Sequence, residues 1–244
     1  MIRSSPDLNP NAGTFVGKSF FSTYKKFQGE PYILNDEKYP RFTAEFWTSR
    51  QRQASSLHEI AYRACFKAQL PRFFIDLFSQ PGDIVYDPFS GRGTTVIEAG
   101  LLGRNVISND VNPLNRILSE PRFFIPDPEV LRQRLDKIPF KKNECADIDL
   151  SMFYHPETES EIVALKKYLK KKRRMGSEDH LDQWIRMVAT NRLTGHSPGF
   201  FSVYTFPPNQ AVSADRQKLI NKKRNQRPEY RDIKRSFSGN QNSS

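Results

Sequence analysis

Long apolar runs, a disulfide framework and a surplus of hydrophobic residues are all missing from this 244-residue chain. Cys65 and Cys145 are its only cysteines, and one distant pair is not the stapling of a small secreted domain. The apolar fraction, 37%, lies below the ~45–50% of ordinary globular chains, and no stretch approaches the ~18 apolar residues of a membrane-spanning helix. Residues 1–20, MIRSSPDLNPNAGTFVGKSF, lack the apolar core and small-residue cleavage site of an export signal. A reducing cytoplasm is the expected compartment, with no membrane partner. His58, His155, His180 and His196 stand at no metal-ligand spacing with either cysteine, so no metal site is expected. No serine occupies a Gly-x-Ser-x-Gly elbow, and Trp47 and Trp184 are read as packing residues.

What the chain has in excess is positive charge, +11 overall. Residues 1–120 hold 14 Lys and Arg against 12 Asp and Glu, whereas residues 121–244 hold 24 against 15, so the excess belongs to the second half. It peaks between Lys166 and Arg174 and again between Arg216 and Arg235. Such an asymmetry suits a polyanion, because neutralising phosphates releases condensed counterions. A solvated helix face is the plainer reading of the first run.

Residues 1–40, broken by Pro and Gly, read as an irregular arm. From Ser55 to Phe78 the pattern is mostly helical, with Leu57, Ile60, Ala61, Ala64, Cys65 and Ala68 on one face until Pro71 restarts it. Asp83 to Tyr86 is a β-prone run ending at Asp87-Pro88. A loop with Gly91 and Gly93 follows, then a helix from Thr94 to Leu102 closed by Gly103, then a second strand from Asn105 to Asn109 ending at Asp110. This is a βαβ unit, whose two strands should lie parallel. Helices are expected over 113–119, 128–137, 157–173 and 177–194, the last capped by Ser177, then a strand over FFSVYTF (200–206) and a charged helix opened by Ser213. The predicted class is α/β with an incomplete Rossmann-like sheet and a helical, basic second half. Its expected divisions are an arm (1–54), the βαβ module (55–125), a helical region returning to the sheet (126–212) and a basic, partly disordered tail (213–244).

The chemistry concentrates on the βαβ unit. A glycine loop between strand and helix admits many ligands, since glycine lets a ligand approach the backbone closely. Gly91-x-Gly93 lacks the third glycine of the dinucleotide fingerprint, and no lysine follows as a phosphate-cradling loop requires, which disfavours NAD and ATP. Asp87 at the loop mouth would repel a pyrophosphate but attract the ammonium and sulfonium of S-adenosylmethionine. Asp110 stands 19 positions after Gly91, at the end of the second strand, where a carboxylate can accept both ribose hydroxyls. Together they describe a nucleoside ligand without phosphates.

Asp87-Pro88-Phe89-Ser90-Gly91-Arg92-Gly93-Thr94-Thr95 resembles motif I of the DNA amino-methyltransferases, DPFxGxGTT, which methylate adenine N6 or cytosine N4. Phe66-Lys67-Ala68-Gln69-Leu70-Pro71 is similar to the HPTQKP element ahead of motif I, with Gln69 and Pro71 matching and the other four positions replaced. The resemblance, which covers about residues 55–115, implies an S-adenosylmethionine site. In it Asp87, Pro88, Phe89, Gly91, Gly93 and Thr94 line the methionine end, Asp110 holds the ribose and Gln69 lies close by.

The same family carries a second motif, Asp, Asn or Ser followed by Pro-Pro and an aromatic, which accepts the hydrogens of the target amine and stacks on a flipped base. The single Pro-Pro here stands in Thr205-Phe206-Pro207-Pro208-Asn209, with Phe in place of the polar acceptor and Asn in place of the aromatic. It reads as a strand-ending turn, so no catalytic residue is assigned. The expectation is a fragment, a truncated product or one part of a split enzyme acting on DNA, with the missing motif on a second polypeptide. An RNA guanine methyltransferase and a noncatalytic DNA-binding accessory protein are the rival readings.

Overall fold

The computed structural model describes residues 54–237, apart from 61, 63, 64, 141, 142, 196, 198, 203, 204, 206–209 and 211, together with the backbone of 29–34 and 37–42. Within the stretch expected to be an irregular arm, Gly29–Leu34 (β1) and Glu37–Phe42 (β2) form an antiparallel ribbon, with Pro31 opposite Pro40. The prolines that argued against strands are tolerated because each strand of a two-stranded ribbon has an outer edge, where a missing N–H breaks no ladder bond. Trp47 and the rest of the arm lie outside the described residues.

The mostly helical reading of 55–78 also needs correction. Ser56–His58 makes one 3-10 turn and Gln69–Phe78 forms α1, whereas Glu59, Ile60, Tyr62 and residues 65–67 between them are not helical. Pro71 sits in the first turn of α1, where its missing N–H costs nothing. The reason lies in the carbonyls: those of Leu57, His58 and Ile60 accept from the guanidinium groups of Arg122 and Arg92. Long-range donors displaced the helical i+4 bonds.

The βαβ unit forms as its pattern predicts. Ile84–Asp87 (β3) and Asn105–Ser108 (β4) pair in parallel, Ile84 opposite Asn105 and Asp87 opposite Ser108, joined through Thr94–Leu101 (α2). Val96, Ile97 and Ala99 of α2 are buried. Val85 and Val106, paired in register, are half-buried on one face of this sheet. The other face presents Ile84, Tyr86 and Ile107 at 67%, 57% and 50% exposure. Parallel strands are ordinarily covered on both faces; here, among the described residues, one face is bare.

Leu114–Ser119 (α3) runs into a 3-10 turn, Glu120–Phe123, and the rest is helical: Pro128–Asp136 (α4), Pro156–Arg174 (α5), His180–Arg192 (α6), Ala214–Arg224 (α7) and Ile233–Phe237 (α8). Ser177 does not cap α6. Its backbone N–H donates to Lys172 O, beside Gly176 in the left-handed region, so it closes α5. Asp179 caps α6 instead, in a capping box with Asp182. Ser213 caps α7 as expected.

The main core joins Leu131 and Leu135 of α4, Leu165 and Leu169 of α5, Ile185 of α6, Phe201 and Ile233. One expectation fails here. Phe200–Ser202 and Thr205 are not strand; Phe201 fills the helical core while the Ser202 and Thr205 hydroxyls bond the backbone of Gly195, and the remainder of that stretch lies outside the described residues. In the tail the described residues end at 237, so the expected disorder of the last stretch falls outside them. Ile233 is fully buried, and Thr158 and Glu161 of α5 hold the backbone of Arg231 and Ile233. A second cluster, Ile60, Leu118 and Met187 with Trp184 and Tyr62 against it, ties the βαβ unit to α6.

Arg134 forks onto Asp179 at 2.6 Å and onto the fully buried Asp182 at 2.7 Å. The Arg134 guanidinium holds the Asp179 carboxyl down to about 2. A depressed carboxyl contributes stability above its unfolded value, near 4, and loses it as pH falls through the folded one. The melting-temperature gap between wild type and Arg134→Met should therefore narrow between pH 4 and pH 2; a gap constant over that window would assign the pair no electrostatic role.

Candidate functional site

The loop between β3 and α2 is closed by its own amides. Phe89 N donates to Asp87 Oδ1 at 3.0 Å, Ser90 N to Asn109 O at 3.0 Å, Gly91 N to Asp110 Oδ2 at 2.7 Å and Gly93 N to Ser90 O at 2.6 Å. Those four donors point inward to acceptors of the unit itself. A phosphate cradle needs them turned outward to the ligand.

The two carboxylates that the sequence singles out are brought together, at the C-terminal ends of neighbouring parallel strands. Asp87 ends β3, half-buried, and its backbone carbonyl accepts from Asn109 N and the Ser90 hydroxyl. Asp110 lies two residues past β4 and accepts from Asn112 N at 2.8 Å as well as from Gly91 N. These backbone donors, Asn112 first, hold its carboxyl below the usual carboxylate range. A carboxylate offers about four acceptor positions, so two remain for a ligand. Asp110, Asn109, Asn112, Asn115 and Phe123 line a cavity of about 480 Å³. A larger cavity of about 660 Å³, between α5 and α6, is walled by core residues such as Leu165 and Phe201 and takes no part in the loop.

The other predicted residues fall as follows. Pro88 O accepts from Asn109 Nδ2 at 3.2 Å. The Phe89 ring is 87% exposed. Gly91 (φ +53°) carries Tyr62 over it so closely that a Cβ would stand 3.3 Å from Tyr62 Cε1. Gly93 (φ +83°) lies against Ser119, whose Oγ would be 2.5 Å from a Cβ. Thr94 opens α2, buried, with its hydroxyl accepting from Arg92 Nε at 3.2 Å. Gln69 begins α1, a neighbour of α2.

Sequence reasoning missed the residues that support the loop from behind. Asn115 Nδ2 donates to Gly91 O at 2.9 Å and to Ser119 Oγ at 3.1 Å, its Oδ1 accepts from Ser108, and Arg122 reaches Arg92 O. The signal was present: Asn112, Asn115, Ser119 and Arg122 recur at intervals of three and four, a polar stripe at helical spacing. His58 and Glu98, both buried, add a 2.6 Å contact behind α2 that Arg72 joins.

Comparison with known proteins shows what part of the chain is similar to. Residues 14–115 match a family model described as DNA methylase. That stretch, about two fifths of the chain, is similar to DNA amino-methyltransferases. Its relatives include the type II methyltransferase M.BsoBI of Geobacillus stearothermophilus, 34% identical over 125 residues, which are 50% of this chain and 24% of the relative. The type II methyltransferase M.MjaII of Methanocaldococcus jannaschii is 32% identical over 88 residues, 36% of this chain and 17% of the relative. M.MjaI of the same organism, also a type II methyltransferase, is 28% identical over 135 residues, 50% of this chain and 44% of the relative. The chain thus spans about a quarter or less of the first two and under half of the third. No solved structure matches it significantly. Among the described residues no helix is long and apolar enough to cross a membrane.

Proposed function

We propose that this chain is the S-adenosylmethionine-binding part of a DNA methyltransferase that methylates an exocyclic base amine, cytosine N4 or adenine N6. The observation that carries the reading is the pair Asp87 and Asp110 at adjacent strand ends around a loop, four of whose amides bond acceptors within the unit. A diphosphate would meet two carboxylates, whereas a cationic, phosphate-free nucleoside meets complementary charge.

The residues present fit the cofactor. Gly91 and Gly93 keep the loop free of side chains at its tightest points, Asp87 faces the cationic methionine end, and Asp110 accepts the ribose hydroxyls with its remaining lone pairs. Bound there, the cofactor would supply an electrophilic methyl group, and the chain's own contribution is to fix its orientation. No residue here is assigned to activating the amine, and residues 206–209 lie outside the described set. Among the described residues β3 and β4 pair only with each other, so each keeps an outer edge to which further strands could pair.

DNA would lie along the basic second half, where Lys166, Lys170, Lys171, Arg173 and Arg174 of α5 and Lys222, Lys223 and Arg224 of α7 are exposed. Calorimetry with S-adenosylmethionine and, separately, ATP tests the cofactor. Binding of the first and not the second is expected; the reverse would sink the proposal, and binding of neither would favour an accessory protein. Replacing Lys170, Lys171, Arg173 and Arg174 by alanine should flatten the salt dependence of duplex DNA binding by roughly one logarithmic unit of slope for each phosphate no longer neutralised. An unchanged slope would move the DNA path elsewhere.

A further inference from the structure

Arg122 lies in the 3-10 turn after α3 and is 3% exposed, yet among the described residues no carboxylate pairs with it. Its guanidinium is spent on backbone carbonyls. Nε donates to Leu118 O at 2.7 Å, one terminal nitrogen to Leu57 O at 2.8 Å and the other to Arg92 O, the carbonyl immediately before Gly93. Those acceptors belong to three separate segments: α3, the 3-10 turn at 56–58 and the glycine loop. A buried guanidinium without a counter-ion is costly, and burial lowers its pKa to about 10. The planar fork, with fixed donor directions, is what three divergent carbonyls require, and lysine cannot reproduce it.

The same nitrogen that holds Arg92 O would stand 3.1 Å from a Cβ on Gly93. Arg92 in turn donates to His58 O at 3.1 Å and Ile60 O at 2.9 Å. Two arginines therefore bind the loop and the 56–60 segment into one unit, and that segment leads to Tyr62, the ring over Gly91. The orientation of the Arg92–Gly93 peptide decides where Gly91 lies, and Gly91 N bonds Asp110.

We propose that Arg122 is a positioning residue for the cofactor: by holding Arg92 O and Leu57 O together, it sets the glycine loop against Asp110 and keeps Tyr62 over it. The proposal rests on the S-adenosylmethionine reading above for its ligand, but not for its geometry. Losing the fork frees the loop from behind while leaving Asp87 and Asp110 chemically intact, so cofactor affinity falls although every group that touches the cofactor is still present.

The test uses the full chain with Arg122→Met, and Arg122→Lys should the first variant not fold. At a temperature where wild type and variant are both folded by circular dichroism, amide exchange in peptides spanning 55–60 and 88–95 should quicken together, by tenfold or more, while peptides of α5 and α6 keep their protection. S-adenosylmethionine should bind at least tenfold more weakly. Millimolar guanidinium, far below denaturing levels, should restore part of that affinity in Arg122→Met and none in wild type. Exchange unchanged in both peptides, or quickened equally throughout the molecule, overturns the proposal, as does cofactor affinity within twofold of wild type. If wild type itself binds no S-adenosylmethionine, the cofactor reading fails, and the coupled exchange of the two peptides still decides whether Arg122 ties them together.

Discussion

Gly93→Ala should lower the melting temperature by roughly 5–15 °C and abolish detectable cofactor binding. Two costs combine at this position. Its φ of +83° lies in the left-handed region, which costs an L-residue ~1–2 kcal/mol. The added Cβ would also stand 2.5 Å from Ser119 Oγ and 3.0 Å from Ser119 Cβ. Ser119 is buried and bonded to Asn115, so it has little room to retreat. Overpacking of that kind adds ~1–3 kcal/mol. A loss of about 2–5 kcal/mol in a domain of this size gives the shift stated. Gly176→Ala separates the two costs, since Gly176 also has positive φ but nothing within 4 Å of a Cβ; it should lose only the conformational part. Ser119→Gly placed on Gly93→Ala should recover some of the loss. If Gly93→Ala melts with wild type, the close approach of α3 to the loop is wrong.

Asp110→Ala should weaken S-adenosylmethionine on the order of 10- to 100-fold, the loss expected when a charged acceptor of two hydroxyl hydrogen bonds is removed. The same substitution removes the acceptor of Gly91 N and Asn112 N, so the loop itself should exchange its amides faster. Asp110→Asn keeps one acceptor oxygen and should fall between the two. The pH dependence follows from the direction of the shift. Backbone donors favour the ionised carboxyl, so the contribution of Asp110 to loop stability is fully present above its unfolded value, ~3.9, and declines as pH drops through the lower folded value. Cofactor affinity should thus stay level from pH 7 to about pH 4 and fall below that. Asp110→Ala should show a shallower fall, since the Asp87 carboxylate remains, and wild-type affinity that declines already near pH 5 would mean that another group controls the site.

The βαβ unit was legible because its local signals agree with one another. A β-prone run ends at Asp-Pro, glycines stand where the chain turns, and both strands and α2 fall within a residue or so of their expected bounds. The placement of Asp87 and Asp110 at adjacent strand ends follows from parallel pairing alone. Two of the failures share a cause, the lost helix beyond His58 and the lost strand at Phe201, since in each a partner remote in sequence overrode a local preference. The carbonyls of His58 and Leu57 are taken by arginines 34 and 65 positions later, which helical periodicity cannot anticipate. Ser177 looked like an α6 cap, but Glu178 is held by Arg186 and Asp179 by Arg134, so the helix begins at the next residue. FFSVYTF has strand composition, yet Phe201 is drawn into a helical core.

The order of glycines, acidic strand ends and β-prone runs along the chain was enough to specify a glycine turn between acidic strand ends on a parallel strand pair, because those features act over a few neighbouring residues. How firmly that turn is held, by Asn115, Ser119 and Arg122 from behind and Tyr62 from above, was settled only in three dimensions. Side-chain donors spend their hydrogen bonds on whichever carbonyls folding brings within reach, and distance along the chain does not enter that choice.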